Sequence, residues 1–352
     1  MHRRRWLSLE QMVETAGQLA AAVDPAPVSP ETLPPREVAL HRFGRRAMAT
    51  WFEVFLPFGW PGALSLAEKA FGELERLEDQ LTVYHEASEI SRINRLAASR
   101  PVVVEERLFG LLERCAALTR ATAGAFDITA HALVVAWGFH RRQGRVPTDA
   151  ERREALARVG MGHVVLEPER RTIAIRRPGV AINLGSIGKG YALDRMAEVL
   201  RREGNLSLAL LHGGQSSVYA MGSSPASSRG WAVGVQHPWE AGRRLAVVWL
   251  RDQGLGTSAA TFQHLEHQGM KLGHVLDPRT GWPAGGLASA SVVAPTAAEA
   301  DALATAFFIL GVEGARAYCA EHPGIGAILL PEGEGARPVA VGLRPDQYDW
   351  CP

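Results

Sequence analysis

The segment Ala181–Asp194, AINLGSIGKGYALD, constrains the fold more than any other stretch of the chain. Gly185, Gly188 and Gly190 lie within six residues, so the backbone can turn, or approach a bulky neighbour, where a Cβ would clash. Leu193, Met196, Ala197 and Leu200 follow at i, i+3, i+4, i+7, which predicts a helix with one buried face ending near Gly204. Val180–Leu184 ahead of it reads as a short buried segment. The glycines therefore fall where N–H groups at a helix start can face an anion. Two familiar phosphate motifs are nevertheless absent. A Walker loop needs Gly where Asn183 stands and Ser or Thr where Gly190 stands, and the glycine spacing is the reverse of a dinucleotide fingerprint. Alone, the stretch reads as a Gly-rich turn packing a helix on a sheet.

The surrounding pattern is α+β. Helical spacing appears over Phe71–Leu81, Glu105–Ala121 and, after a polar loop, in the DAERREALARV segment. From Arg46 the run AMATWFEVFLP reads as a strand, and Gly162–Arg177 as a hairpin that pairs His163–Leu166 with Thr172–Ile175. Beyond the glycine stretch and its helix, LSLALLHGG, SSVYAMG, WAVGVQHP and RLAVVWL read as four strands in succession. That order excludes a regular βαβ array and predicts mixed or antiparallel sheets with packed helices. The expected organisation is an extension and linker over residues 1–40, then one domain over 41–345.

Composition narrows the chemistry. With 38 basic and 37 acidic side chains the formal net charge is +1, so any phosphate must be bound locally and no nucleic-acid surface is expected. Cys115, Cys319 and Cys351 suit neither a disulfide framework nor a thiolate site, and the 12 histidines show no zinc spacing. No run reaches the roughly 18 apolar residues of a membrane span. Near the N-terminus, Arg3–Leu7 has a twin-arginine look, but Glu10, Gln11, Glu14 and Gln18 break the apolar region that would follow. A short amphipathic helix and a Pro-rich linker through Pro35 is the reading adopted, with a cytoplasmic location as the expectation and export as the alternative.

Thr296 with Glu299 three residues on forms a capping box, starting a helix whose buried side carries Ala300, Leu303, Ala304, Phe307 and Phe308. Asp301 and Thr305 then fall one turn apart, so a carboxylate and a hydroxyl converge in a hard-oxygen half-site better suited to Mg2+ than to zinc. Alone, such a pair is more often a solvated acid and a helix-packing threonine.

Five stretches, in order, resemble the ApbE family of FAD:protein FMN transferases: MAT at Met48, GAFDIT at Gly124, A-x3-G-x3-K-G at Ala181, HVLDPRTG at His274 and ADALAT at Ala300. The similarity runs from about Arg46 to about Leu330. It implies the ApbE-like fold and a Mg2+ ion held by Asp301, Thr305 and the Ser186 carbonyl. FAD would be the substrate, lined by Met48, Tyr84, Ala125, Phe126, Asp127, Asn183, Lys189 and Val275, with His274 as base. The implied reaction moves FMN from FAD to a Ser or Thr hydroxyl of an acceptor protein bearing an S/T-G-A-S/T motif, releasing AMP. Hydrolysis of FAD to FMN and AMP, or FAD binding without turnover, are the alternatives. Many members of the family are exported lipoproteins. Two positions depart from its pattern: Asn183 stands where Asp is usual, which puts nucleotide affinity in question, and Gln215 stands where an acid is usual and is assigned no role.

Overall fold

The apolar stripes read from the sequence close onto one large antiparallel sheet. The computed structural model describes residues 39–141, 144–259, 264–267 and 270–352. The helix and linker expected before Pro35 lie outside them. Strands β1 (Leu40–Ala47) and β2 (Thr50–Pro57) open the sheet. The small strands β3 (Val102–Val103), β4 (Val164–Glu167) and β5 (Thr172–Ile175) form a separate sheet of their own, in the order β3-β5-β4. Next come β6 (Ala209–Gly213) and β7 (Ser217–Met221), then β8 (Trp231–Gln236) and β9 (Arg244–Leu250), then β10 (Gln253–Ala259). A hairpin of β11 (His264–His267) and β12 (Met270–Gly273) precedes β13 (Leu287–Ala294), β14 (Gly326–Pro331), β15 (Val339–Val341) and β16 (Tyr348–Trp350). The eight-stranded sheet runs β1-β2-β6-β7-β10-β13-β14-β15, and a three-stranded sheet runs β16-β9-β8. Every pairing in both is antiparallel.

Seven helices are described: α1 (Ala63–Leu81), α2 (Glu89–Leu96), α3 (Glu106–Ala121), α4 (His131–Ala136), α5 (Asp149–Leu156), α6 (Gly188–Gly204) and α7 (Ala297–Glu321). One face of the large sheet meets α1, α6 and α7, in a core that includes Phe52, Leu74, Leu193, Leu200 and Phe307. Its other face meets the three-stranded sheet across Leu210, Val218, Leu255, Val293, Trp231 and Val248. Strand β13 is sandwiched between these layers, which is why all eight of its residues are buried and its sequence shows no polar alternation.

Two sequence expectations change. The strand read from Arg46 is a hairpin: β1 and β2 pair through Ala47 and Thr50, with Met48 (φ 47°) and Ala49 (φ 60°) both left-handed between them. This two-residue turn has the backbone that hairpins favour, but Asn or Gly usually marks it and neither is present. The helix expected at Phe71 begins at Ala63, because Leu66, Ala67 and Ala70 continue its buried stripe. Elsewhere α3 and α6 match the reading, with Glu105 capping α3, and the β4–β5 hairpin forms one residue further on, Val164–Glu167 pairing with Thr172–Ile175 while His163 ends the turn before it. Helix α7, interrupted by a non-helical Gly311, is by length and composition apolar enough to cross a membrane; its first three turns are buried in the core.

Candidate functional site

The site is built where α6 and α7 meet on β10. In α6, an added Cβ at Gly190 would lie 2.0 Å from the Ala297 carbonyl oxygen, so only glycine lets the two helix starts touch. From below, β10 presents Gly254, Gly256 and Ser258 on one face by the strand's two-residue period. A Cβ at Gly254 would lie 2.4 Å from the Ala297 Cα, and one at Gly256 2.5 Å from the Asp301 nitrogen, while the Ser258 hydroxyl is 3.3 Å from that of Thr305. Helix α7 thus settles along the strand at backbone contact, and Asp301 and Thr305 are held at a fixed depth.

Half-buried Asp194 of α6 closes this junction. Its carboxylate accepts from the Ala297 and Ala298 amides at 2.8 and 2.9 Å, Thr296 Oγ1 accepts from the Glu299 amide, and the Thr296 carbonyl accepts from that of Ala300. The amides of Ala297, Ala298 and Glu299, three of those that a helix start leaves open, are therefore taken up by side chains of the protein, and the first intrahelical bond follows at Ala300. Burial pushes the Asp194 carboxyl up to about 7, against the two amide bonds and the positive charge of Arg114, which pull it down.

Asp301 is 6 % exposed. The Gly190 amide donates to its Oδ2 at 2.8 Å, and the fully buried Ser217 hydroxyl donates across both oxygens at 2.7 and 2.9 Å. The anion at the start of α6 is thus a side chain of the protein itself, which refines the sequence expectation of an external one. Burial raises the Asp301 carboxyl above its ordinary range, opposed by the Lys189 charge, the Ser217 hydroxyl and the Gly190 amide. A carboxylate offers about four lone-pair sites. These contacts leave room for a cation, and a buried acid of this kind gains from one.

The Gly-rich turn ahead of α6 is held by residues far away in sequence. Asn94 of α2 clamps Ile182, accepting from its amide at 2.7 Å and donating to its carbonyl at 2.9 Å. Asn183 donates its amide N–H to the Ile128 carbonyl at 2.8 Å, and its side-chain oxygen accepts from the Gly185 amide at 2.9 Å. Ser186 occupies the turn that leads into Gly190 and its bond to Asp301. The hard-oxygen donors Asp301 and Thr305 therefore share one junction with this turn, and their chemistry fits a dication such as Mg2+.

The other expected residues are placed by local contacts of their own. Met48 is half-buried, and its amide donates to Glu78 Oε1 at 2.6 Å near the C-terminal end of α1; Tyr84 follows that end and is 76 % exposed. A left-handed Met stores strain that the Glu78 bond holds in place. Ala125 and Phe126 are buried in the core. The Asp127 carboxylate is taken up by the Thr129 amide, the Thr129 hydroxyl and the Met161 amide, which fixes the GAFDIT turn. His274 and the buried Val275 follow β12, and the adjoining Asp277–Arg279 turn lies against Gly124, whose added Cβ would meet Arg279 Cγ at 3.5 Å. The HVLDPRTG and GAFDIT stretches are thereby neighbours. Gln215 is exposed in the turn between β6 and β7. Ser217, Asp194, Gly254 and Gly256 escaped the sequence reading. The last two carry a visible signal, glycine at alternate positions of a strand.

Comparison with known proteins identifies the family and the fold. The model of the ApbE family matches residues 48–329. An FAD:protein FMN transferase of Treponema pallidum is 32% identical over 75% of this chain and 76% of its own, and one of Klebsiella pneumoniae is 30% identical over 76% and 82%. The crystal structure of an ApbE protein from Thermotoga maritima superposes with a TM-score of 0.77 at 26% identity, covering 86% of this chain and 97% of that one. The sequence order, the α+β architecture and these matches coincide over the same residues, and the chain belongs to the ApbE family.

Proposed function

We propose that this protein is a Mg2+-dependent FAD:protein FMN transferase that moves the FMN moiety of FAD to a Ser or Thr hydroxyl of an acceptor protein. The observation that carries this reading is the buried Asp301 carboxylate, oriented by Gly190 and Ser217 one helical turn from Thr305 at the start of the Gly-rich helix. Its support from outside is the family and the names of the relatives given above.

Asp301, Thr305 and the Ser186 carbonyl would hold the dication. When bound, it neutralises charge on the FAD diphosphate and stabilises the departing phosphate. The acceptor hydroxyl oxygen forms a bond to the FMN-side phosphorus, the bond from that phosphorus to the bridging oxygen breaks, and AMP leaves with that oxygen. His274 takes the hydroxyl proton, an effect typically of about 10² to 10⁴ in rate. Lys189, whose charge already acts on Asp301, adds a positive group beside the phosphates. Met48 and Tyr84 at the end of α1 offer an apolar and an aromatic surface to the flavin ring.

Incubation with FAD, Mg2+ and an acceptor domain bearing an S/T-G-A-S/T motif, followed by intact mass, tests the reading. A mass gain of one FMN phosphoester on the acceptor is expected, and none is expected for Asp301→Ala. Free FMN and AMP without labelling would reassign the protein as a pyrophosphatase, and unchanged FAD would leave binding alone.

A further inference from the structure

Asn183 does more than occupy the position of an expected aspartate. The Gly185 amide can only donate, so the Asn183 atom that meets it at 2.9 Å is the carbonyl oxygen. The amide nitrogen then faces His131 Nδ1 at 3.2 Å and donates to it. His131 Nδ1 must accept, which places the ring hydrogen on Nε2 and requires a neutral imidazole. The half-buried position of His131 and the nearby His140 both disfavour the protonated ring. His131 opens α4, and the same segment accepts the Asn183 backbone N–H through Ile128.

We propose that His131 and Asn183 form an uncharged latch that sets the Gly185–Ser186 turn, making His131 a positioning residue for the dication. A carboxylate at 183 could accept from Gly185 equally well, but it would face His131 Nδ1 with a second acceptor and force that nitrogen to carry a proton. The presence of Asn at 183 is thus matched by the histidine opposite. The consequence for metal binding rests on the reading of Ser186 as a ligand; the latch itself does not.

The first test uses histidine-selective nitrogen NMR on the full chain without metal or FAD, with His131 assigned through His131→Gln. The expected signature is the neutral ring with hydrogen on Nε2 at pH 7, replaced in Asn183→Asp by a ring carrying hydrogen on Nδ1. A wild-type ring with hydrogen on Nδ1 would overturn the latch. The second test measures Mn2+ binding by electron paramagnetic resonance with FAD present. His131→Leu should raise the Mn2+ concentration for half-saturation about five- to tenfold, the size of one hydrogen bond's net contribution. His131→Gln, whose carbonyl oxygen can accept the same N–H, should restore it. Equal affinity in the Leu variant would refute a positioning role. Should Asp301→Ala bind Mn2+ as wild type does, the metal reading would fail separately, and the tautomer would still decide the latch.

Discussion

Substituting Gly190 by alanine pits two opposed effects against each other. In an ordinary helix interior the change stabilises by up to about 1 kcal/mol, because alanine has less backbone freedom to lose. Here the new Cβ would stand 2.0 Å from the Ala297 oxygen and 2.3 Å from its carbon, both backbone atoms that no rotamer change can move. Reaching even the closest separation that real Cβ atoms show, 3.0 Å, requires α6 and α7 to part by about 1 Å. Overpacking of that kind costs about 1–3 kcal/mol, at its upper end against rigid backbone. Parting the helices also stretches the Gly190 amide bond to the Asp301 carboxylate, and a bond to a charged group is worth about 1.5–3 kcal/mol. The net expectation is a destabilisation of about 3 kcal/mol. At about 2.1 cal/mol/K per residue a chain of 352 residues has an unfolding entropy of about 0.7 kcal/mol/K, so the midpoint should fall by about 4 °C. Scanning calorimetry of Gly190→Ala beside Gly72→Ala checks this, since an added Cβ at exposed Gly72 of α1 meets nothing within 4 Å. Gly72→Ala should melt at or slightly above wild type. A Gly190→Ala protein that did the same would refute the close-contact argument, whatever its activity.

Two further outcomes follow from the same junction. Asp194 has a folded carboxyl at about 7 against an ordinary 3.8, so its stabilising contribution is complete below about pH 3.8 and is lost as pH rises through 7. Urea unfolding between pH 4.5 and 7.5 should therefore show Asp194→Asn gaining on wild type as pH rises, by at most about 4 kcal/mol; parallel profiles would contradict the assignment. Ser217→Ala removes the hydroxyl that orients Asp301, and should raise the Mg2+ concentration for half-maximal transfer about tenfold with the acceptor KM unchanged. A change in acceptor KM alone would place Ser217 elsewhere in the reaction.

Much of the fold could be read locally. The stripe Leu193, Met196, Ala197, Leu200 fixes the buried face of α6, and Thr296 marks the start of α7, because both signals lie within a few residues of what they determine. The Asp301–Thr305 pair was legible for the same reason. The Met48–Ala49 turn was not, because its left-handed backbone is imposed by strand pairing and the Glu78 bond, and no local Gly or Asn announces it. Asp194, Ser217 and His131 were equally hidden: each acts on a group 103, 84 or 52 residues away, a pairing that only the assembled sheet and helices create. Asn183 was visible as a departure from the family pattern, but its meaning depends on the ring it meets.

In the proposed function one dication bridges the Gly-rich turn and α7. A crystal structure with Mn2+ and FAD, phased to show the metal's anomalous signal, tests it most directly. A single peak is expected, bonded to the Asp301 carboxylate, Thr305 Oγ1 and the Ser186 carbonyl, with the FAD diphosphate completing its shell. A peak bound elsewhere, or a diphosphate seated away from these three groups, would contradict it.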